Sequence, residues 1–364
     1  MGWLLRRRRP QPADFSLRDL ARTNPNLAAS FTWQGNRLPD VLPDPLWLHF
    51  GCGETVLDGF LNLDFLPGDP RVAEWDLLEP WPERWPHAAR GAFSEDTLEH
   101  LFLGEQLYVL CEVNRALADG ATFRVLMPSL ARLLEYCHGF APRNGELLHE
   151  TFGVETEADA INAGMRFSGH RWLHDDASLA HLAALAGFAA TRTTCAGSAD
   201  PFLANRNLRA EEGTASFAHD LVKQTAIART VVAPAEGRGL ARVESVADGV
   251  ELLRVAEHGA ELRFRLPRPV RVASLACVNV RSANVTQFRE HSLKRMIVRG
   301  PGVAGEIALD ETLKSKPAMN LLWPALARRA AGGAERTIDE IALVPGFAGD
   351  LVTAGRLELY TYAE

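Results

Sequence analysis

The chain has 364 residues, 47% of them hydrophobic and 23% charged, which is enough material for two globular cores rather than one. A formal net charge of -7 gives the whole molecule no electrostatic attraction to nucleic acid or to an anionic membrane, so small molecules or neutral polymers are the expected partners. The 5 cysteines are scattered without a C-x-x-C pair, against both a disulfide framework and a zinc site.

Residues 1–44 read as a lead-in rich in Pro, Arg and Asn, with one helical candidate at Ser16–Ala21. Arg6 to Arg9 read as a solvated N-terminus, with a nucleic-acid or lipid-surface contact as the alternative. The apolar MGWLL precedes these arginines, the reverse of a secretory signal, and no apolar run approaches the roughly 20 residues of a membrane span. A soluble, cytoplasmic protein is therefore expected.

The pattern then alternates. Strands are expected at Leu46–Phe50, Phe60–Leu63, Val72–Trp75, Ala92–Ser94 and Ala121–Met127, with a helix from Gly104 to Ala118 stopped by Asp119-Gly120. Strand, helix and strand in this order predict a doubly wound, mostly parallel sheet. Ser129 opens a second helix through Tyr136, His138–Arg171 shows no clear period, and Asp175 opens a third helix closed by Gly187. Strands Phe188–Cys195 and Ser216–Lys223 complete a domain spanning 45–229.

In 230–364 short alternating runs take over: Val250–Val255, Ala260–Leu266, Val270–Val280, Leu293–Val298, Ile338–Val344 and Leu351–Tyr360. Frequent turn signals between them predict an antiparallel β-sandwich or jelly roll, with one helix-like insertion at Leu321–Ala331.

The chemistry concentrates in Trp47–Asp64, an apolar strand that stops at Gly51-Cys52-Gly53 and is followed by a second strand ending in Asp64. Glycine permits unusual φ and lets a ligand approach the backbone. A carboxylate at the end of the second strand of such a sheet can accept both ribose hydroxyls. A dinucleotide fingerprint needs a third glycine, where Val56 stands, and a later acid than Asp64. The loop therefore suits a nucleoside with a zwitterionic tail and no phosphate, and NAD-linked chemistry is disfavoured.

LHFGCG…DGFLNLD, then WDLLEPWP, SEDTLEHL, RALADGATFRVLMPSL and GHRWLHDDASLAHLAALAGF together resemble the class I S-adenosylmethionine-dependent methyltransferases, of the type-11-like branch. The resemblance implies a Rossmann-like methyltransferase fold and S-adenosyl-L-methionine as cofactor. It implies that Gly51, Cys52 and Gly53 hold the methionine part, Asp64 the ribose and Asp76 the adenine amine, while Ser94 and Glu95 line the adenine or sulfonium side. The link from Gly53 to Phe60 is too short for the family's usual first helix. Bland readings stand beside these: Asp64 and Asp76 as turn or cap residues, Cys52 as a small spacer, His100 as a partner for a backbone group.

A hydroxyl acceptor calls for a general base, for which His149, His170 and His174 are the candidates, and Trp172 could stack on a substrate ring. No carboxylate–histidine spacing suggests a metal, and no G-x-S-x-G or Walker loop is present. The C-terminal domain loosely resembles galactose-binding-like jelly rolls, with Phe288, Arg289, His291 and Trp323 as a candidate sugar face. Homo-oligomerisation through that domain is the alternative. The reading is a methyltransferase acting on oxygen of a saccharide or glycan precursor, and the alternative is a degenerate methyltransferase fold serving as a glycan- or protein-binding scaffold.

Overall fold

The computed structural model describes residues 36, 39–65, 67–79, 81–82, 88–137, 153, 155–166, 169–207, 216–245, 250–278, 280–282, 293–308, 319–321 and 337–363. The chain divides into two compact units, Gly35–Ala228 joined by Tyr362–Glu364, and Arg229–Thr361. Ser16–Ala21 and Arg6 to Arg9 lie outside the described residues.

The first unit is built on seven strands: β1 (Trp47–Phe50), β2 (Leu61–Asp64), β3 (Val72–Glu74), β4 (Ala89–Glu95), β5 (Leu117–Pro128), β6 (Phe188–Thr193) and β7 (Ser216–Lys223). Their order in the sheet is β3-β2-β1-β4-β5-β7-β6. Neighbours from β3 to β5 pair in parallel, while β7 runs antiparallel to both β5 and β6. This is a doubly wound sheet in which one reversed strand is inserted ahead of the last.

Among the described residues, four α-helices accompany it: α1 (Leu103–Ala116), α2 (Leu130–Cys137), α3 (Glu157–Arg166) and α4 (Asp176–Leu185). α1 stops at Ala116 and β5 begins at Leu117, so the Asp119-Gly120 pair expected to end the helix already lies in the strand. α3 falls inside the stretch read as aperiodic. Its buried positions are only Ala160 and Ala163, too small to give an apolar signal, and its start is fixed by a Thr156–Asp159 capping box.

Between β1 and β2 lie only ten residues, 51–60, without a helix. Parallel neighbours ordinarily need a dozen or more residues, mostly helical, and that helix also covers the sheet. Here Asn62, buried in β2, replaces the internal hydrogen bonds of the missing helix. Its Oδ1 accepts from Leu57 N at 3.0 Å and its Nδ2 donates to the carbonyls of Leu57 at 3.0 Å and Phe60 at 3.2 Å. The covering comes from residues 196–207, where Phe202 stacks on Trp47 at 4.3 Å and on Phe60 at 5.2 Å between ring centroids. Leu203 joins Trp47, Phe60, Phe93, Leu126 and Ala218 in the same buried cluster.

That segment is held from inside the sheet. Arg124 of β5, fully buried, donates to the carbonyls of Thr194 at 3.1 Å, Cys195 at 2.7 Å and Gly197, and pairs with Asp220 of β7 at 3.2 Å. Asp220 accepts in turn from Ser198 Oγ at 2.9 Å and Ala199 N at 2.6 Å. The C-terminal return is tied as well: Ala363 N donates to Ala226 O at 2.9 Å and Tyr362 Oη to Leu185 O at 2.8 Å.

β8 (Ile227–Val232) carries the chain into the second unit. It comprises, with β8, β9 (Glu236–Arg238), β10 (Leu240–Ser245), β11 (Glu251–Val255), β12 (Glu261–Val270), β13 (Val272–Val278), β14 (Arg281–Ser282), β15 (Leu293–Gly300), β16 (Val303–Ala308), β17 (Met319–Leu321), β18 (Ile338–Pro345), β19 (Leu351–Ala354) and β20 (Arg356–Tyr362). These form sheets ordered β10-β11-β19-β14, β16-β15-β18-β12-β9 and β17-β13-β20-β8, antiparallel in every register described. One core containing Phe264, Met296, Ile341, Val352 and Leu359 serves strands of all three. The helix expected from Leu321 is not what its first residue forms: Leu321 closes β17, and the remainder to Ala331 lies outside the described residues. Phe288, Arg289, His291 and Trp323 lie outside them too.

Removing one partner of a buried ion pair strands the other charge at a cost of about 3–5 kcal/mol. Arg124→Met and Asp220→Ala should each lower stability in urea denaturation by roughly that much. Substituting Arg265, which reaches Glu340 of β18 at 3.5 Å from an exposed position, should change it by about 0–1 kcal/mol.

Candidate functional site

The parallel strands put the C-terminal ends of β1 to β5 on one edge, and the crevice of such a sheet opens between β1 and β4, whose connections leave in opposite directions. The sequence-derived cofactor residues all fall on this edge: Gly51 to Gly53 after β1, Asp64 at the end of β2, Asp76 after β3, and Ser94 and Glu95 closing β4.

The two glycines do different work. Gly51 has φ +62°, its N–H donates to Leu63 O at 2.9 Å, and a Cβ there would lie 2.2 Å from Thr97 Oγ1. Its lack of a side chain serves the packing of the β4 turn against β1. Gly53 has φ +54° and nothing within 4 Å of where a Cβ would stand, so it is the glycine that leaves room for a ligand. Gly53 N donates to Asp64 Oδ2 at 2.8 Å, which brings the loop and the acid together as the spacing implied. Cys52 between them is buried, its thiol pushed up to about 11 by burial and by the neighbouring Asp64 carboxylate, so it stays protonated and unreactive.

Asp76 takes a turn role within reach of the edge. Its Oδ1 accepts from Leu78 N at 3.0 Å, and its backbone is clasped by Asn36, which accepts from Asp76 N at 3.0 Å and donates to Asp76 O at 2.7 Å. Ser94 is buried in β4 and Glu95 half-buried at its end.

Beyond Glu95, two residues not singled out from sequence shape the site. Asp96 is a non-glycine residue at φ +50°, with its N–H donating to Leu126 O at 3.0 Å. Such a conformation persists only where its surroundings over-determine it, and Asp tolerates it better than most residues. Thr97 Oγ1 donates to Glu95 O at 3.0 Å, and the same hydroxyl lies 3.4 Å from Phe50 O. The available signal was SEDT itself, a polar run that closes a buried strand and continues past it.

Of the histidines, His149 lies outside the described residues. His174 is corrected as a candidate base: it is fully buried, with Nε2 bonded to Gln106 Oε1 at 2.8 Å and Nδ1 to Ser178 Oγ at 2.9 Å. It anchors the start of α4, where Asp175 caps Ser178 N at 2.7 Å, and leaves no ring nitrogen for a substrate. His170 is retained. Its side chain is 9% exposed and its Nε2 stands 3.8 Å from Oε1 of the wholly buried Glu99. Trp172, 36% exposed, follows two residues on, its backbone N–H bonded to Glu99 O at 3.2 Å. His100 packs its ring against His170, centroids 5.0 Å apart. Its Nδ1 does meet a backbone group, Gly169 O at 3.4 Å.

No family model matches the chain. No curated protein matches it either. Among solved structures, the chain is similar to phosphoethanolamine N-methyltransferase 2 of Haemonchus contortus in complex with S-adenosyl-L-methionine, at 14% identity and a TM-score of 0.31, covering 55% of this chain and 52% of that one. It is similar also to the 16S rRNA (adenine(1408)-N(1))-methyltransferase of Catenulisporales acidiphilia, at 11% identity and a TM-score of 0.30, covering 53% of this chain and 99% of that one. The 1,6-didemethyltoxoflavin-N1-methyltransferase of Burkholderia thailandensis gives 11% identity and a TM-score of 0.29 over 57% of this chain and 80% of that one. Likenesses at this level carry no argument about the activity, which rests on the residues themselves.

The two glycines should separate experimentally. Gly51→Ala adds backbone strain and a collision with Thr97, about 2–4 kcal/mol of lost stability. Gly53→Ala adds strain alone, about 1–2 kcal/mol. Urea denaturation of both variants checks the order.

Burial also keeps two imidazoles near the edge neutral. His174, and His49 of β1, whose Nδ1 meets Asn62 Oδ1 at 2.9 Å, are each lowered from the ordinary 6.5 to about 4, chiefly by desolvation. The unfolded chain therefore takes up protons that the folded one refuses between pH 6.5 and 4, and stability falls as pH drops through that window. The loss should approach about 3 kcal/mol per histidine by its lower end. Denaturation midpoints between pH 7 and 4 test this, and His174→Gln should flatten the slope.

Proposed function

We propose that the Gly35–Ala228 unit binds S-adenosyl-L-methionine and transfers its methyl group to a hydroxyl of a saccharide or glycan precursor. The observation that carries this reading is the 2.8 Å bond from Gly53 N to Asp64 Oδ2 beside the open space over Gly53. A loop glycine with room for a ligand and a carboxylate at the end of the next strand converge on one point of the edge. With no third glycine for a pyrophosphate, that arrangement suits a phosphate-free nucleoside.

In this reading the Gly51–Gly53 backbone holds the methionine part and Asp64 accepts the ribose hydroxyls. Asp76 stands toward the adenine, and Ser94 and Glu95 line the adenine or sulfonium side. When bound, the sulfonium supplies an already activated methyl carbon, so the protein's contribution is alignment and exclusion of water. His170 takes the acceptor hydroxyl's proton, with the Glu99 carboxylate beside it favouring the imidazolium that forms. Trp172 offers an exposed face for a sugar ring. His149 remains a second candidate base from sequence. The β-rich unit, a jelly-roll type of module in this reading, holds the saccharide or a second copy of the chain, and the protein works in the cytoplasm.

Isothermal titration calorimetry on the full chain tests the assignment. The wild type should bind S-adenosyl-L-methionine and S-adenosylhomocysteine, and Asp64→Ala should weaken binding about 10- to 100-fold, the worth of a hydrogen bond to a charged group. No binding by the wild type, or equal binding by the variant, rules it out.

A further inference from the structure

Glu99 and His100 end a short 3-10 turn, Leu98–His100, that follows β4 at the cofactor edge. The fold brings His170, 70 residues further along, against both. Arg171 N and Trp172 N donate to Glu99 O at 2.7 and 3.2 Å, pinning the backbone beside His170 to the turn. One ligand atom from each of Glu99, His100 and His170 lies within 4.8 Å of the others. Among the described residues this is the one group of three or more His, Cys, Asp or Glu side chains that meets that condition.

We infer that Glu99, His100 and His170 form a binding site for a divalent first-row transition-metal cation. The donor set is two imidazoles and one carboxylate, a combination that holds Zn²⁺, Fe²⁺ or Mn²⁺ and leaves positions open for an added ligand. Ligand atoms bonded to one ion at about 2.0–2.2 Å stand about 3–3.5 Å apart. The 3.8 Å from His170 Nε2 to Glu99 Oε1 needs only a small side-chain movement to reach that spacing. His100 Nδ1 stands 3.4 Å from Gly169 O, a backbone contact that fixes the orientation of its ring beside His170. Glu99 has no exposed side-chain surface, and a carboxylate so placed is stabilised by a cation held between it and the two rings.

The expectation from sequence that no metal cluster is present rested on local spacing. Only the fold joins a Glu-His pair to a histidine from before α4. The site does not depend on methyl transfer. If an ion sits there, His170 is its ligand, and the acceptor's proton is the business of another group.

The test is calorimetric titration of the chelator-treated full chain with Zn²⁺ and, in parallel, Mn²⁺. The wild type should take up one equivalent of at least one of them. His100→Ala and His170→Ala should each weaken uptake at least tenfold, while His181→Ala, an exposed position on α4, and Asp64→Ala should bind as the wild type does. Because His100 is exposed, its variant should fold, which circular dichroism verifies. No uptake by the wild type, or undiminished uptake by both cluster variants, overturns the site. Ion binding that survives Asp64→Ala separates this outcome from the cofactor assignment.

Discussion

A parallel strand pair joined by ten residues and no helix governs the first unit. The helix that ordinarily links β1 to β2 would satisfy its own backbone and cover one face of the sheet; here the first task falls to a side chain of β2 and the second to a distant segment. Asn62 takes up the backbone groups of the link with three hydrogen bonds. Phe202 and Leu203 supply the cover, and the Arg124–Asp220 pair holds their segment down. A buried ion pair is weak evidence of stability, because desolvation offsets its attraction. Its value here is positional: Arg124 has one arrangement that meets three carbonyls and a carboxylate, so the covering segment has one place to lie.

The same economy shapes the candidate site. The glycine loop is held by Leu63 O beneath, by Asp64 at its far side and by Thr97 against Gly51, rather than by the first turn of a helix. Helix N-termini attract phosphate, and a loop made without one has no such preference. A phosphate-free ligand is thus consistent with the support of the loop as well as with its glycine count. The β4 turn that presses on Gly51 carries the positive-φ Asp96 and leads directly into the Glu99–His100 turn. Backbone strain, the edge after β4 and one of the two paired imidazoles, His100, are consequently parts of one short segment.

Much of this was legible in the residues. Apolar runs ending in small or acidic residues located β1, β2 and β4 within a few positions, and the meeting of Gly53 with Asp64 followed from the Gly51–Asp64 pattern. What escaped has physical reasons. α3 buries two alanines, which leave no apolar stripe to read. Arg124 sits in a run that otherwise reads as a plain buried strand, and its partners lie from 69 to 96 positions away. His174 looks available in sequence, beside Trp172 and two aspartates, and only Gln106 of α1 reveals that it is enclosed. Glu99, His100 and His170 show no local pattern, because their proximity is made by backbone bonds across the fold.

The return of Tyr362 and Ala363 to the first unit gives the chain a temporal order. A protein emerging from the ribosome presents its segments in sequence, and domains generally fold as units during synthesis. The first unit here is discontinuous: the bonds Ala363 N to Ala226 O and Tyr362 Oη to Leu185 O wait until all of Arg229–Thr361 has been made. The first unit is thus closed only after the β-rich segment has been made, although its glycine loop is translated long before.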